Sequence, residues 1–155
     1  MNTHPSSTPR GFTLIETLTV LAIIGILGAI GVPTLMRSLS GPATRSAKQQ
    51  VAAYLVRTRA AAIENGQPAL FVRTGNSIQV LLDQGGAKVA FSPAQDLGTI
   101  YGVTLTASRD TIQYDPRGFA SSLSGTVKIL VTKSSKADSV CVLGLGRVST
   151  IKCGL

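Results

Sequence analysis

An α+β fold, a long N-terminal helix packed on an antiparallel β domain, is predicted by three features of this sequence. From Phe12 to Met36 the chain carries no charge except Glu16. Apolar residues then recur at three- and four-residue steps between Ala43 and Asn65. Past Gln67-Pro68 the pattern changes to short β-branched runs between glycine- and proline-rich turns. A helix followed by strands, with the sheets covering the second half of the helix, is the α+β arrangement. The expected organisation is a leader over 1–11, an apolar helix over 12–36, an amphipathic helix over 37–66 and a β-rich domain over 67–155.

The leader holds Asn2, Ser6, Ser7 and prolines, and reads as unstructured. Phe12 to Met36 as a helix would reach about 38 Å at ~1.5 Å per residue, enough for a hydrocarbon core of ~30 Å. Gly25, Gly28 and Gly31, joined by Ala22, place small residues along one slowly drifting face where another helix can approach closely. Pro33 deprives the Ala29 carbonyl of its helical partner, so Gly31 and Pro33 mark a weak point. Ser40-Gly41-Pro42 is a second interruption, a kink or a short break. Ala47, Val51, Tyr54, Leu55, Ala62 and Ile63 form the apolar stripe of the next helix, with Arg45, Lys48, Gln49 and Arg59 largely on the other side. Asn65-Gly66 is its C-terminal stop.

Strands are expected at Ala69 to Arg73, Ser77 to Leu82 and Ala87 to Phe91, then a loop over Pro93 to Gly98. Thr99 to Thr106, Thr111 to Tyr114 and Thr126 to Thr132 follow. Ser139 to Leu143 and Arg147 to Lys152 flank Gly144-Leu145-Gly146 as a closing hairpin.

The formal charge is +8. From Arg117 onward Arg117, Lys128, Lys133, Lys136, Arg147 and Lys152 face Asp138 alone. That bias suits DNA or a lipid surface, and equally serves as solubility charge on exposed strands. Tryptophan is absent and aromatics make up 5%, so the core must be aliphatic. The single histidine, His4, lies in the leader, which excludes histidine-based acid–base chemistry and a Ser-His-Asp triad from the rest of the chain. Asp110 and Asp115 read as solvated turn carboxylates. No acidic cluster offers a calcium site and the two cysteines are too few for a zinc site of cysteines alone, so neither metal nor cofactor is expected. Gly144-Leu145-Gly146 imitates part of a dinucleotide fingerprint, but no helix can follow so near the end. In a chain carried past a membrane Cys141 and Cys153 are expected as a disulfide.

The N-terminal pattern has two ordinary rivals. A secretory signal has a shorter apolar core and no interior carboxylate, although Ser38-Leu39-Ser40 would serve as its cleavage site. A plain membrane anchor explains the length but leaves Glu16 and the Gly11-Phe12 junction as accidents. Taken together, the basic leader with Arg10, the Gly11-Phe12 junction, Glu16 and the apolar run resemble the class III signal of type IV pilins and type II secretion pseudopilins. The resemblance implies a prepilin peptidase cutting after Gly11 and methylation of the new amine on Phe12. It also implies a Glu16 carboxylate paired with the N-terminus of a neighbouring subunit, and local unwinding of the helix near Pro33 in assembled filaments. Partners would be other pilin or pseudopilin subunits and the membrane itself. The protein would be single-pass in the cytoplasmic membrane, with an exported C-terminal domain.

Tyr114 to Ala120, Gly125-Thr126-Val127 and Gly146-Arg147-Val148 look like the minor pilin group called GspH/FimT. Its FimT-type members are associated with double-stranded DNA capture through Gly-Arg-x-Arg. Gly146 and Arg147 match that motif, whereas Ser149 occupies the second arginine position. Lys152 and Arg117 stand as the other cations that such a role would draw on, or the role is absent. The expected function is therefore structural rather than enzymatic: a minor type IV pilin in assembly or priming, with DNA uptake as an added role. A minor pseudopilin of a type II secretion system is the alternative.

Overall fold

The computed structural model describes residues 12–121, 123, 125–151 and 153, and gives the helical backbone alone at 33, 34 and 36–40. Gly11 and Lys152, and the side chain of Pro33, lie outside the described residues. Internal contacts divide the chain into two units, Met1–Ser38 and Leu39–Leu155.

Helix α1 (Leu14–Asn65) is 52 residues long and unbroken through Gly41-Pro42, where the sequence suggests an interruption. Pro42 is exposed, so the carbonyl that it leaves without a helical donor can be met by water instead of breaking the helix. Thr13 caps the start: its Oγ1 accepts the Glu16 N–H at 3.3 Å, and its carbonyl accepts the same N–H at 3.1 Å. Gly66, with φ +61°, ends it in the left-handed conformation open to a residue without Cβ.

In the second unit α1 buries Ala47, Val51, Tyr54, Leu55, Ala61 and Ala62. The buried face departs from the expected stripe, most clearly at two residues. Ile63 is 52% exposed, whereas Thr58 is fully buried and donates its hydroxyl to the Tyr54 carbonyl at 2.7 Å. That internal bond removes the cost of burying a hydroxyl, so a polar residue occupies a core position.

One sheet contains β1 (Ala69–Thr74), β2 (Ser77–Gln84), β3 (Ala87–Ala90), β4 (Gln95–Asp96) and β6 (Thr111–Tyr114). Its order is β3-β2-β1-β6, with β4 paired to the start of β2. The second sheet runs β5 (Thr104–Ala107), β7 (Val127–Lys133), β8 (Lys136–Val142) and β9 (Val148–Ser149) in the order β5-β7-β8-β9. All pairings are antiparallel. Alternation sets the faces: along β7, Val127, Ile129 and Val131 are buried while Lys128 is exposed. The core unites Leu55, Phe71, Ile78, Ile112, Tyr114, Ile129 and Val140.

The segment Thr99 to Thr106 does not form a single strand. Leu97–Tyr101 is a short helix, α2, despite β-branched Thr99 and Ile100, because both of its ends are capped. Asp96 Oδ1 accepts the N–H groups of Gly98 at 2.8 Å and Thr99 at 3.2 Å, and Gly102 closes the other end at φ 64°. The sheets are tied at the β1–β2 turn. There Asn76 Oδ1 accepts the Leu105 N–H at 2.9 Å, and Arg73 donates to the Leu105 carbonyl at 3.1 Å while pairing with Asp110. Strand β8 starts at Lys136, earlier than expected, and β9 spans only Val148–Ser149.

Candidate functional site

The apolar part of α1 carries the first candidate residues. Leu14–Val32 is long and apolar enough to cross a membrane, and none of it is buried within the chain. Its polar side chains are satisfied locally: Thr17 Oγ1 donates to the Leu14 carbonyl at 2.8 Å and Thr19 Oγ1 to the Ile15 carbonyl at 2.7 Å. Such bonds let hydroxyls enter hydrocarbon cheaply. Phe12 is 81% exposed, and Glu16 is exposed in the first helical turn, where its carboxylate faces the positive end of the helix dipole. Sequence reasoning passed over Thr13, although Thr13-Leu14-Ile15-Glu16 has the Ser/Thr-x-x-Glu spacing of a capping box. Gly25, Gly28 and Gly31 have nothing within 4 Å of where a Cβ would sit, so this face is open to another helix.

The second group surrounds the C-terminal hairpin. Gly146 adopts φ +83°, and a Cβ there would lie 2.8 Å from the Tyr114 ring and 3.0 Å from the Ala120 nitrogen. The Tyr114 hydroxyl donates to the Gly146 carbonyl at 3.2 Å. Burial pushes this phenol up to about 12, and the charge of Arg59 only partly opposes the shift. Gly146 is thereby fixed by packing, and the hairpin is clasped to the segment that follows β6.

That segment is organised by Asp115. Its Oδ1 accepts the N–H groups of Arg117 at 3.0 Å and Phe119 at 2.9 Å, while its Oδ2 accepts Arg117 Nε at 3.0 Å and Nη2 at 2.8 Å. The hydrogen bond from the Phe119 amide, then those from Arg117, hold the carboxyl below the usual carboxylate range against its partial desolvation. Arg117 is therefore paired, and its guanidinium lies 5.9 Å from the Phe119 ring centre. The hairpin itself carries no aromatic residue, but the fold packs the buried Tyr114 ring and Ala120 against Gly146. No local sequence signal foretells that approach.

Among the other cations, Lys133 donates to the Tyr101 carbonyl at 2.5 Å and Lys48 pairs with Asp138 at 2.6 Å. Lys128, Lys136 and Arg147 are exposed. The structure joins Cys141 to Cys153, with a Cα–Cα separation of 5.8 Å. Among the described residues no group of three or more His, Cys, Asp or Glu is placed to hold a metal ion.

Residues 7–32 match the family described as the prokaryotic N-terminal methylation motif. The chain is 28% identical over 131 residues to the type IV major alpha-pilin of Moraxella bovis, covering 83% of this chain and 72% of that one. It is 38% identical over 63 residues to type II secretion system protein H of Xanthomonas campestris pv. campestris, covering 41% of this chain and 37% of that protein. The crystal structure of the type IV minor pilin FimU of Pseudomonas aeruginosa superposes with a TM-score of 0.58 at 13% identity, over 68% of this chain and 86% of that one. With a methylation motif matched over residues 7–32, an exposed apolar helix from Leu14 and a fold shared with FimU, the chain is similar to type IV pilins and type II secretion pseudopilins.

Proposed function

We propose that the protein is a minor type IV pilin of the GspH/FimT kind, with a structural rather than a catalytic role. It is made as a single-pass precursor of the cytoplasmic membrane with its β domain exported. A prepilin peptidase cleaves it between Gly11 and Phe12, and the new Phe12 amine is methylated. Subunits then pack through α1, whose glycine face meets neighbouring helices and whose Glu16 sets register against a neighbour's N-terminus. The methylation motif matched over residues 7–32, together with a helix from Leu14 whose apolar stretch to Val32 is nowhere buried within the chain, supports this reading.

Mass spectrometry of the mature protein tests it: the first residue should be N-methylated Phe12, and any other first residue removes the proposal. Glu16→Ala should still be processed yet be missing from sheared filaments; normal incorporation would eliminate the register role.

The match to a type II secretion protein H supports a second reading, a minor pseudopilin whose domain meets secreted proteins or the secretion channel. DNA capture separates the two. It would rest on Arg147 and the exposed lysines, because Arg117 is engaged by Asp115 and Gly146 is accounted for by packing. Phosphate contacts of that kind give salt-sensitive, sequence-independent binding. In a gel-shift series with double-stranded DNA, binding that weakens steeply with salt and vanishes in Arg147→Ala favours the pilin in DNA uptake. Binding absent at low salt removes the uptake role and favours the secretion machine.

A further inference from the structure

Between α1 and β8, wholly within the second unit, lies a groove of about 440 Å³ lined by Gly41, Thr44, Arg45, Lys136 and Asp138, among others. Its charge is unbalanced. Asp138 is engaged by Lys48 at 2.6 Å, and neither Arg45 nor Lys136 enters an ion pair among the described residues. Arg45 faces the groove closely enough for its charge to act on Asp138. Two cations thus line a polar cleft whose one carboxylate is already neutralised. We propose that this groove binds the phosphate of an anionic phospholipid headgroup, holding the β domain against the membrane surface before the subunit enters a filament.

Chain connectivity favours a lipid source for that phosphate. Even a fully extended chain advances at most ~3.6 Å per residue, so Gly41 lies no more than about 20 Å beyond Met36, where the uncharged run ends. A folded chain covers less, which brings the groove within reach of the headgroup layer bordering the ~30 Å hydrocarbon core. This inference rests on the membrane reading given above.

The test uses the full chain reconstituted in phosphatidylcholine vesicles with or without phosphatidylglycerol, with lysine acylation read residue by residue. Labelling of Lys136 should fall about fivefold when phosphatidylglycerol is present, the factor that one basic side chain gains near an anionic surface. Lys88, exposed on β3, should be unchanged. Arg45→Gln should restore most of the Lys136 labelling, whereas diffuse attraction to the charged surface would leave the protection intact and overturn the groove. Equal Lys136 labelling in both vesicles also overturns it, using the unaltered chain alone. Inorganic phosphate added to phosphatidylcholine vesicles distinguishes the source: protection at millimolar phosphate equal to that with phosphatidylglycerol would overturn the lipid assignment. A chain that fails to float with either vesicle type would instead overturn the membrane reading itself.

Discussion

Gly146 and Tyr114 form the contact on which the C-terminal hairpin turns. A methyl group at position 146 would press on the tyrosine ring in a backbone region costly to any residue with a Cβ. Gly146→Ala should therefore destabilise the domain by about 1–3 kcal/mol. Tyr114→Phe, which loses only the hydroxyl bond to the Gly146 carbonyl, should cost about 0.5–1.5 kcal/mol. Urea unfolding of the detergent-solubilised chain measures both; a neutral Gly146→Ala would show that the hairpin shifts freely. Asp115 and Asp138 add a pH dependence. Both carboxyls are held below their ordinary value of 3.8, so each contributes stability that is complete at neutral pH. That contribution is lost as pH falls below about 4, through the lowered folded-state values. For Asp138, partial burial works against the shift, but hydrogen bonds from Lys48 and the Ser139 amide, with the charges of Lys48 and Arg45, outweigh it. Melting temperature should thus drop between pH 5 and pH 3, and Asp115→Asn should flatten that drop.

At the level of elements, caps override propensity in α2. Asp96→Ala should free two amides at its start and cost about 1 kcal/mol, with faster hydrogen exchange confined to Leu97–Tyr101 and the neighbouring β4. The disulfide is the other local device. Cys153→Ser should lower stability by about 2–4 kcal/mol for a loop with a sequence separation of 12, read from denaturant midpoints under non-reducing conditions. The elements differ in how far residues announce them. Strand β7 was legible because Val127, Ile129 and Val131 alternate with solvent-facing residues, and the end of α1 because Asn65-Gly66 is a strong stop. Helix α2 was not, since Thr99 and Ile100 favour strand and the decisive bonds come from Asp96 and Gly102 flanking them. Lys48 was placed on the outer face by periodicity, yet its long side chain reaches Asp138, a partner that only the tertiary fold supplies.

For the whole molecule, the core residues from Ala47 to Val142 all belong to the second unit. A chain beginning at Leu39 should therefore fold alone, with a melting temperature within a few degrees of the full protein in detergent, a difference corresponding to less than about 1 kcal/mol. Loss of cooperative unfolding would show that the first unit is needed. The apolar helix followed by antiparallel sheets was readable from one charge-free run followed by two periodicities, because burial requirements write themselves into spacing. The candidate site around the hairpin was readable only as residue types: Gly146, Arg147 and Arg117 are visible in the chain, but the approach of Tyr114 and Ala120 to Gly146 is a consequence of packing.

The link from Cys153 to Cys141 also has a mechanical reading. Strand β9 is a two-residue edge that traction would peel away, but a pull applied beyond Cys153 arrives first at the sulfur bridge and passes to β8, an interior strand. There seven paired residues of β7 resist it in parallel, and the Lys48–Asp138 clasp hands part of the load to α1. A β domain built this way is suited to carry load applied at Cys153 without unravelling.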